Sequence, residues 1–270
     1  MEDAQGISNG YELLCFLKPL YPVGDRNSWW WPSFRSIEVC DGVEIKGATE
    51  SAPDLALCIA SILGQNTRYE NAHTALVSLC SYLFEGLESK LDPQAFEDTQ
   101  GLEYPKLAYI SRPDFQDSLL ERLCKLEVGL LSSLIYKAGF HNQKAHRILL
   151  LANNAMADFG SFSAFAKGVS KEWLLAQKGI GNESASSILN YGLKREEMVA
   201  DRYTQRLLAS IGLEYDSYED LQAFLCENLE KGKSLYDFDI PLAQLMARFH
   251  GKIVEHGKHA GRKRDKKARP

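Results

Sequence analysis

The sequence predicts an all-α protein built as two helical lobes. Apolar residues recur at a spacing of three and four along most of the chain, and strand signals are few. About ten helices are expected, too many for one four-helix bundle. The 270 residues, 45% hydrophobic and 25% charged, are enough for two small globular domains. We expect a helical barrel domain over 53–195 and a second helical domain formed by 1–52 and 196–270.

The predicted helices follow one another with short loops between them. The first spans 8–18, with Ser8 or Asn9 as its cap. The segment 99–114 contains two prolines and is expected to be a loop. The periodic segments between residues 53 and 166 predict helices over 53–66, 69–85, 92–98, 115–126, 129–138, 142–157 and 161–166.

Charge is divided unevenly along the chain. The last fifteen residues, 256–270, hold seven Lys or Arg and one Asp. Because the whole chain sums to −5, residues 1–255 carry −11. A basic tail on an acidic body would bind a polyanion mainly through the tail. A solvated terminus accounts for the same composition.

Cysteine usage and hydropathy indicate a cytoplasmic protein without a membrane partner. The longest apolar runs fall short of the ~18 residues of a membrane helix. The acidic, polar start shows no secretory signal. The six cysteines are far apart and form no CxxC pair, so they are expected as reduced, mostly core thiols.

A glycine-containing turn lies between two predicted helices near residue 180. Lys178-Gly179-Ile180-Gly181 follows one helix, and the next begins near Asn182. Glycines permit backbone angles that other residues resist, and they leave amide N–H groups directed outward for a phosphate. The pattern fits a helix-hairpin-helix that grips a DNA backbone without reading its sequence. A plain turn between two helices fits it equally.

A single acidic residue precedes the next amphipathic helix. Asp201 occurs in VADRYT, directly before a run with Leu207, Leu208 and Ile211 at helical spacing. The spacing predicts that Asp201 caps this helix. A cap carboxylate is fixed in place and kept ionised by the helix dipole, which suits a group that faces a developing cation.

These two motifs together carry a family resemblance. KGIG followed by VADRYTQRLL is similar to the helix-hairpin-helix glycosylase superfamily typified by endonuclease III, in which a catalytic aspartate follows the hairpin. Nearly the full length resembles the 3-methyladenine DNA glycosylase III branch, although 87–128 and the basic tail lie outside the resemblance. The stretches that sharpen it are SWWWP (28–32), LGQNTRYE (63–70), AGFHNQKAHR (138–147), EWLLAQKGIGNESA (172–185) and PLAQLMARFHGKIVE (241–255).

The resemblance implies a two-lobed helix-hairpin-helix glycosylase fold, with a cleft between the barrel domain and the second domain. In bifunctional relatives a lysine two residues after the last hairpin glycine attacks the sugar; here that residue is Glu183. Relatives with an iron–sulfur cluster hold it with four clustered cysteines near the C-terminus, and none follows Cys226 here. We therefore expect a monofunctional glycosylase without lyase activity, cluster or metal.

The implied reaction is hydrolysis of the N-glycosidic bond of alkylated purines, 3-methyladenine above all, in base excision repair. Double-stranded DNA is the expected partner of a monomeric enzyme, and an abasic site is the product. Asp201 would stabilise the oxocarbenium-like sugar and orient water. Two alternatives stay open: a helix-hairpin-helix module that binds DNA without catalysis, and a bifunctional glycosylase with lyase activity.

The base pocket is expected at an aromatic cluster near the N-terminus. The resemblance places Trp30 opposite Tyr69, with Trp31 and Pro32 completing the pocket and Lys258 near it. An indole face over a cationic base is worth about 0.5 to 2 kcal/mol, which neutral adenine would not gain. Related sequences carry Phe where this chain has Tyr69. Without the resemblance, a tryptophan cluster that packs the N-terminal arm would be the interpretation.

Two further residues receive roles from the resemblance. Gln65 matches the position whose side chain enters the gap left by the flipped base; otherwise it would be a polar helix C-cap. Lys252 lies beside an apolar stripe on the predicted C-terminal helix. It matches a lysine that is carbamylated in this branch, and desolvation would favour its nucleophilic neutral amine. A lysine whose stem lies on the stripe and whose charge reaches solvent is the alternative.

Overall fold

The structure is a computed structural model, and it describes residues 6–23, 25, 52–85 and 115–267. Within these ranges the regular structure is entirely helical, which confirms the all-α prediction. In the same ranges no helix is long and apolar enough to cross a membrane. The α-helices in chain order are α1 (Gly10–Leu17), α2 (Leu55–Leu63), α3 (Tyr69–Phe84), α4 (Gln116–Cys124), α5 (Val128–Leu134), α6 (His141–Phe159), α7 (Phe162–Gly168), α8 (Lys171–Leu175), α9 (Asn182–Ser187), α10 (Arg202–Ser210), α11 (Tyr218–Cys226) and α12 (Leu242–Lys267).

The described residues fall into two compact units. The first unit contains those up to residue 25 together with those from Arg195 onward, and the second contains 52–194. Helices α1, α10, α11 and α12 belong to the first unit, and α2 to α9 belong to the second. The chain termini therefore fold together around a core of their own.

The core of the first unit is hydrophobic, mostly leucine with a few aromatic side chains, and is shared by all four of its helices. Helix α12 supplies the apolar stripe that the sequence predicts, and α10 packs along it. The fully buried side chains at the centre are Leu13, Leu14, Leu17, Leu208, Leu225, Leu245, Phe249 and Ile253. Burial of each such side chain contributes about 1.5 to 3 kcal/mol.

The second unit is organised around α2 and α6. Every residue of α2 is buried, and Asp54 caps its start by accepting from the N–H of Ala56. Helix α6 packs against α2, α4, α5 and α7. The sequence predicts one inward face of α6 with Ala145, Ile148, Leu149 and Ala152. Ala145, Ile148 and Ala152 are buried, and Leu149 is half-buried.

Helix positions agree with the sequence predictions, and the ends differ by a few residues. The segment predicted over 53–66 is helical only over Leu55–Leu63, and that predicted over 129–138 is α5 followed by a separate 3-10 turn, Tyr136–Ala138. The predicted helix 92–98 lies outside the described residues. The five described cysteines are free thiols, but only Cys58 and Cys80 are buried, so the expectation of mostly core thiols is wrong for this set.

Candidate active site

Asp201 is held at the N-terminus of α10 by a reciprocal capping arrangement. Its Oδ1 accepts from the backbone N–H of Thr204 at 2.9 Å and from the Thr204 hydroxyl at 3.1 Å. The Thr204 hydroxyl oxygen accepts from the backbone N–H of Asp201 at 3.2 Å. This capping box confirms the predicted cap and fixes the orientation of the carboxylate.

The second carboxylate oxygen of Asp201 faces a histidine of α12. Nε2 of His250 lies 3.4 Å from Oδ2, and both side chains are largely buried, with 7% and 12% of their surface exposed. Burial alone would raise the pKa of Asp201. The charge of His250 and hydrogen bonding from His250 and Thr204 outweigh burial and hold the pKa below its ordinary value. Asp201 is therefore an ionised acid at neutral pH in a largely desolvated position.

Close packing of α10 on α12 brings these two residues together. A Cβ placed on Gly257 would lie 2.2 Å from Cδ1 of Tyr203, so only glycine permits the observed approach. Phe249 and Leu208 are fully buried in the same core. The acid at the start of α10 and the imidazole on α12 are thus positioned by one helix–helix interface.

Lys252 lies two residues beyond His250 and is fully buried. Its ammonium donates to the carbonyl oxygens of Tyr21 at 2.6 Å and Val23 at 2.9 Å, and to Oδ1 of Asp25 at 2.9 Å. Burial lowers the pKa of Lys252, and the Asp25 carboxylate opposes that shift. The alternative in which Lys252 reaches solvent is excluded because its side chain is 0% exposed.

The surroundings of Lys252 fit an ammonium group rather than a carbamate. An ammonium has three protons, and three acceptors surround Nζ. A carbamate would instead place two anionic oxygens among two carbonyl oxygens and the Asp25 carboxylate. Carbamylation of Lys252 stays a prediction from the resemblance, against which these contacts favour the unmodified ammonium.

The predicted hairpin is present between α8 and α9. Gly179 adopts the left-handed backbone conformation, at φ +85°, that favours glycine. Ile180 is buried, and its N–H donates to the carbonyl of Gln177 at 3.1 Å. Gly179 and Gly181 are exposed, so the turn presents backbone to solvent while Ile180 anchors it.

Gln65 follows α2 and contacts this hairpin directly. Its Nε2 donates to the carbonyl of Gly179 at 2.9 Å and to Oγ of Ser184 at 2.8 Å. Its Oε1 accepts from Nη1 of Arg147 at 2.6 Å. The side chain amide therefore joins α2, α6 and the hairpin, an arrangement different from that of a solvent-facing helix cap. Its entry into a DNA gap stays a prediction.

The other predicted site residues have separate surroundings. Trp30, Trp31 and Pro32 lie outside the described residues. Tyr69 is the first residue of α3, is 37% exposed, and has its ring centroid 5.7 Å from that of His73. Lys258 donates to Oε1 of Glu255 at 2.7 Å on the same helix.

Solved structures contain a close relative of this chain. The crystal structure of the H. pylori 3-methyladenine DNA glycosylase MagIII, bound to 1,N6-ethenoadenine, matches with a TM-score of 0.70 and 32% sequence identity. The match covers 93% of this chain and 98% of that one. The chain belongs to the 3-methyladenine DNA glycosylase III branch. The helix-hairpin-helix glycosylase fold that the motifs imply is thereby confirmed, and this member of the branch is a DNA glycosylase.

A curated relative supports the same membership. A Methanocaldococcus jannaschii protein, assigned provisionally by its name to the DNA repair glycosylases, is 31% identical over 157 residues. The match covers 55% of this chain and 67% of that protein. No protein-family model matches the chain.

Sequence reasoning missed the partners of this glycosylase's key side chains. His250 is one of three buried polar residues of α12, with Arg248 and Lys252, and a buried histidine is a usable signal for a paired acid. Lys144 and Arg147 lie one turn apart in α6, and the motif AGFHNQKAHR that contains them gives neither residue a role of its own. Asp25, the acidic partner of Lys252, carries no local signal because it lies in a loop.

Proposed function

We propose that this glycosylase hydrolyses the N-glycosidic bond of alkylated purines in double-stranded DNA, with 3-methyladenine as its main substrate, and leaves an abasic site for base excision repair. One observation carries the proposal: the carboxylate of Asp201 is ionised, largely buried and oriented through both of its oxygens. Such a group stabilises positive charge strongly, because little water screens it.

The reaction needs that stabilisation at the sugar. A 3-methylated adenine already carries positive charge, so the bond from C1′ to N9 breaks with its electron pair leaving on the base, which becomes neutral. The sugar is then an oxocarbenium-like cation, and Asp201 lowers its energy. The oxygen of a water molecule then bonds to C1′, and the Asp201 carboxylate accepts the released proton.

His250 has a supporting part in this proposal. Its position beside Oδ2 of Asp201 favours the ionised acid before the sugar cation forms. The capping box holds Oδ1 with two hydrogen bonds, and we propose that Oδ2, which lies beside His250, is the oxygen that faces the sugar and the water.

The hairpin is the proposed contact to the DNA backbone. Gly179 and Gly181 are exposed, so main-chain N–H groups of the turn are accessible to a phosphate. A damaged base has to be flipped out of the duplex, and Gln65 is the proposed residue that fills its place. Such filling would require the amide to leave its present hydrogen bonds to Gly179 and Ser184.

The remaining assignments follow the family resemblance. The proposed substrate contacts are Trp30, Trp31, Pro32, Tyr69 and Lys258, of which Tyr69 is 37% exposed. Glu183 replaces the lysine of bifunctional relatives, so we propose an enzyme without lyase activity. We also propose that it acts in the cytoplasm as a monomer without an iron–sulfur cluster.

The direct test is release of base from methylated duplex DNA, analysed by chromatography. We expect 3-methyladenine to appear in the soluble fraction and undamaged DNA to stay intact. Binding without any base release would favour the non-catalytic module. A covalent complex trapped by borohydride would favour the bifunctional glycosylase.

A further inference from the structure

Arg147 lies directly over the exposed turn of the hairpin. A Cβ placed on Gly179 would come within 2.3 Å of Nε of Arg147 and 2.7 Å of its Cδ. The left-handed backbone at Gly179 and this close approach both require glycine at that position. Arg147 is half-buried, so part of the residue is accessible from solvent.

The positive charge of Arg147 has no anionic partner in the described part of the chain. Its one hydrogen bond there goes to the neutral amide oxygen of Gln65. Lys144, one turn earlier on α6, is 1% exposed and donates to the carbonyls of Leu63 and Ala138 and to the Thr67 hydroxyl. All three of these acceptors are neutral as well.

Lys144 and Arg147 thus lie about one turn apart on α6, and neither has a compensating acid among the described residues. Burial, followed by the charge of Arg147, lowers the pKa of Lys144 to about 8, which shows that the two groups act on each other. An anion bound near Arg147 would relieve the repulsion between the two cations. Arg147 is the cation that can receive an anion, because it is less buried than Lys144 and has N–H donors beyond the one that Gln65 uses.

We propose that Arg147 binds a backbone phosphate of the DNA strand that the hairpin contacts. A guanidinium has five N–H donors, and one of them is used by Gln65. The others can hold two phosphate oxygens in the bidentate manner that arginine favours. This inference rests on the proposed function of the hairpin, and it adds a cationic side chain to a contact otherwise made by backbone amides.

Gln65 makes the arginine and the hairpin one hydrogen-bonded group. Its Oε1 orients the guanidinium, and its Nε2 holds the carbonyl of Gly179 and Oγ of Ser184. Gln65 thereby holds the guanidinium beside the hairpin, where the remaining N–H donors of Arg147 can meet a phosphate.

The test is the salt dependence of binding to an undamaged duplex, measured by fluorescence anisotropy. We expect Arg147→Gln to bind about tenfold more weakly at low salt and to lower the slope of log K against log salt by about 0.9, the value for one phosphate contact. Arg147→Lys keeps the charge and should retain the slope. Arg122→Gln is the matched control, because Arg122 is also half-buried and has the Glu85 carbonyl as its one described hydrogen-bond partner.

A second measurement uses the wild-type protein and does not depend on a variant folding. Phenylglyoxal labels accessible arginines, and peptide mass spectrometry reads the labelling of each one. Undamaged duplex should protect Arg147 and leave Arg122 labelled. Equal labelling of Arg147 with and without DNA, or an unchanged salt slope in Arg147→Gln, overturns the proposal.

The same experiments separate this inference from the proposed enzyme activity. If Arg147→Gln lowers the salt slope of DNA binding but the wild type releases no base, the phosphate contact is supported and the proposed glycosylase activity is contradicted. If the wild type releases 3-methyladenine but Arg147→Gln leaves the salt slope unchanged, the activity is supported and the phosphate contact is contradicted.

Discussion

Nε2 of His250 lies 3.4 Å from Oδ2 of Asp201, while Thr204 occupies the other oxygen of the same carboxylate. The acid is therefore held from its own helix and from a second helix at once. A cap alone would leave Oδ2 free to turn toward solvent. The pair instead creates a fixed negative charge in a poorly hydrated place, which is the property that stabilisation of a sugar cation requires.

Replacement of Asp201 by Asn tests the charge separately from the fold. Asparagine caps helices as well as aspartate, so the free energy of unfolding should change by less than about 1 kcal/mol. Base release should fall by about 100-fold or more, because the electrostatic stabilisation is lost. Single-turnover release from methylated DNA measures this effect, and anisotropy checks that DNA binding is kept.

Asp54→Asn is the matched control for that variant, since Asp54 also caps a helix and is buried. It should leave base release close to normal. Near-normal turnover by Asp201→Asn would contradict the mechanism.

His250→Gln should change the pH dependence of the enzyme. In the proposed mechanism Asp201 acts as the ionised acid, so we expect activity to be lost as the pH falls through its pKa. His250 helps to lower that pKa, and its removal raises it. The acidic limb of kcat/KM should therefore move to higher pH in the variant. His256→Gln, which changes a histidine of the same helix that contacts the Tyr21 hydroxyl, should leave the limb in place. An acidic limb that does not move in His250→Gln would remove His250 from this role.

Lys252 is expected to be an unmodified ammonium group. Protein kept in 13C-labelled bicarbonate should show no carbamate carbon by NMR, because three acceptors surround Nζ. Lys252→Met should lower the free energy of unfolding by about 2 to 4 kcal/mol in chemical denaturation, since buried acceptors lose their donor.

Lys18→Met provides the comparison, because Lys18 contacts the same Asp25 carboxylate at 3.3 Å from a more exposed position. Its cost should stay below about 1 kcal/mol. A carbamate signal that disappears in Lys252→Met would show that the modification occurs.

Lys144 should give the protein a stability that rises with pH. Its pKa is about 8 in the folded state against 10.5 as the ordinary value, so the unfolded chain binds more protons between these limits. The free energy of unfolding of the wild type, relative to Lys144→Met, should increase by up to about 3 kcal/mol from pH 8 to pH 10.5. Denaturation curves at several pH values measure the difference. Lys137→Met, at an exposed position, should show no such trend. A difference between wild type and Lys144→Met that does not change with pH would contradict the lowered pKa of Lys144.

Local features of the site could be predicted from the sequence. The cap at Asp201 and the turn at Gly179 each depend on residues a few positions away, and spacing reports such relationships directly. The burial of Lys252 followed partly from its place beside an apolar stripe, but that pattern alone could not exclude a lysine that reaches solvent.

Pairings between distant segments could not be predicted in this way. His250 meets Asp201 only because α10 and α12 pack closely, and Gln65 meets Gly179 only because α2 lies beside the hairpin. The acceptors around Lys144 are mainly backbone carbonyls, which every residue has. Side-chain identity therefore gives no hint of them, and only the packed arrangement selects these partners.

Gly257 has a consequence for variation in this protein. A single methyl group added at Gly257 would collide with Tyr203, so the Tyr203 side chain or the packing of α12 on α10 has to shift. A shift of the packing would separate His250 from Asp201, although neither residue had been altered. In the proposed mechanism such a change would lower activity at a position that holds no reacting group.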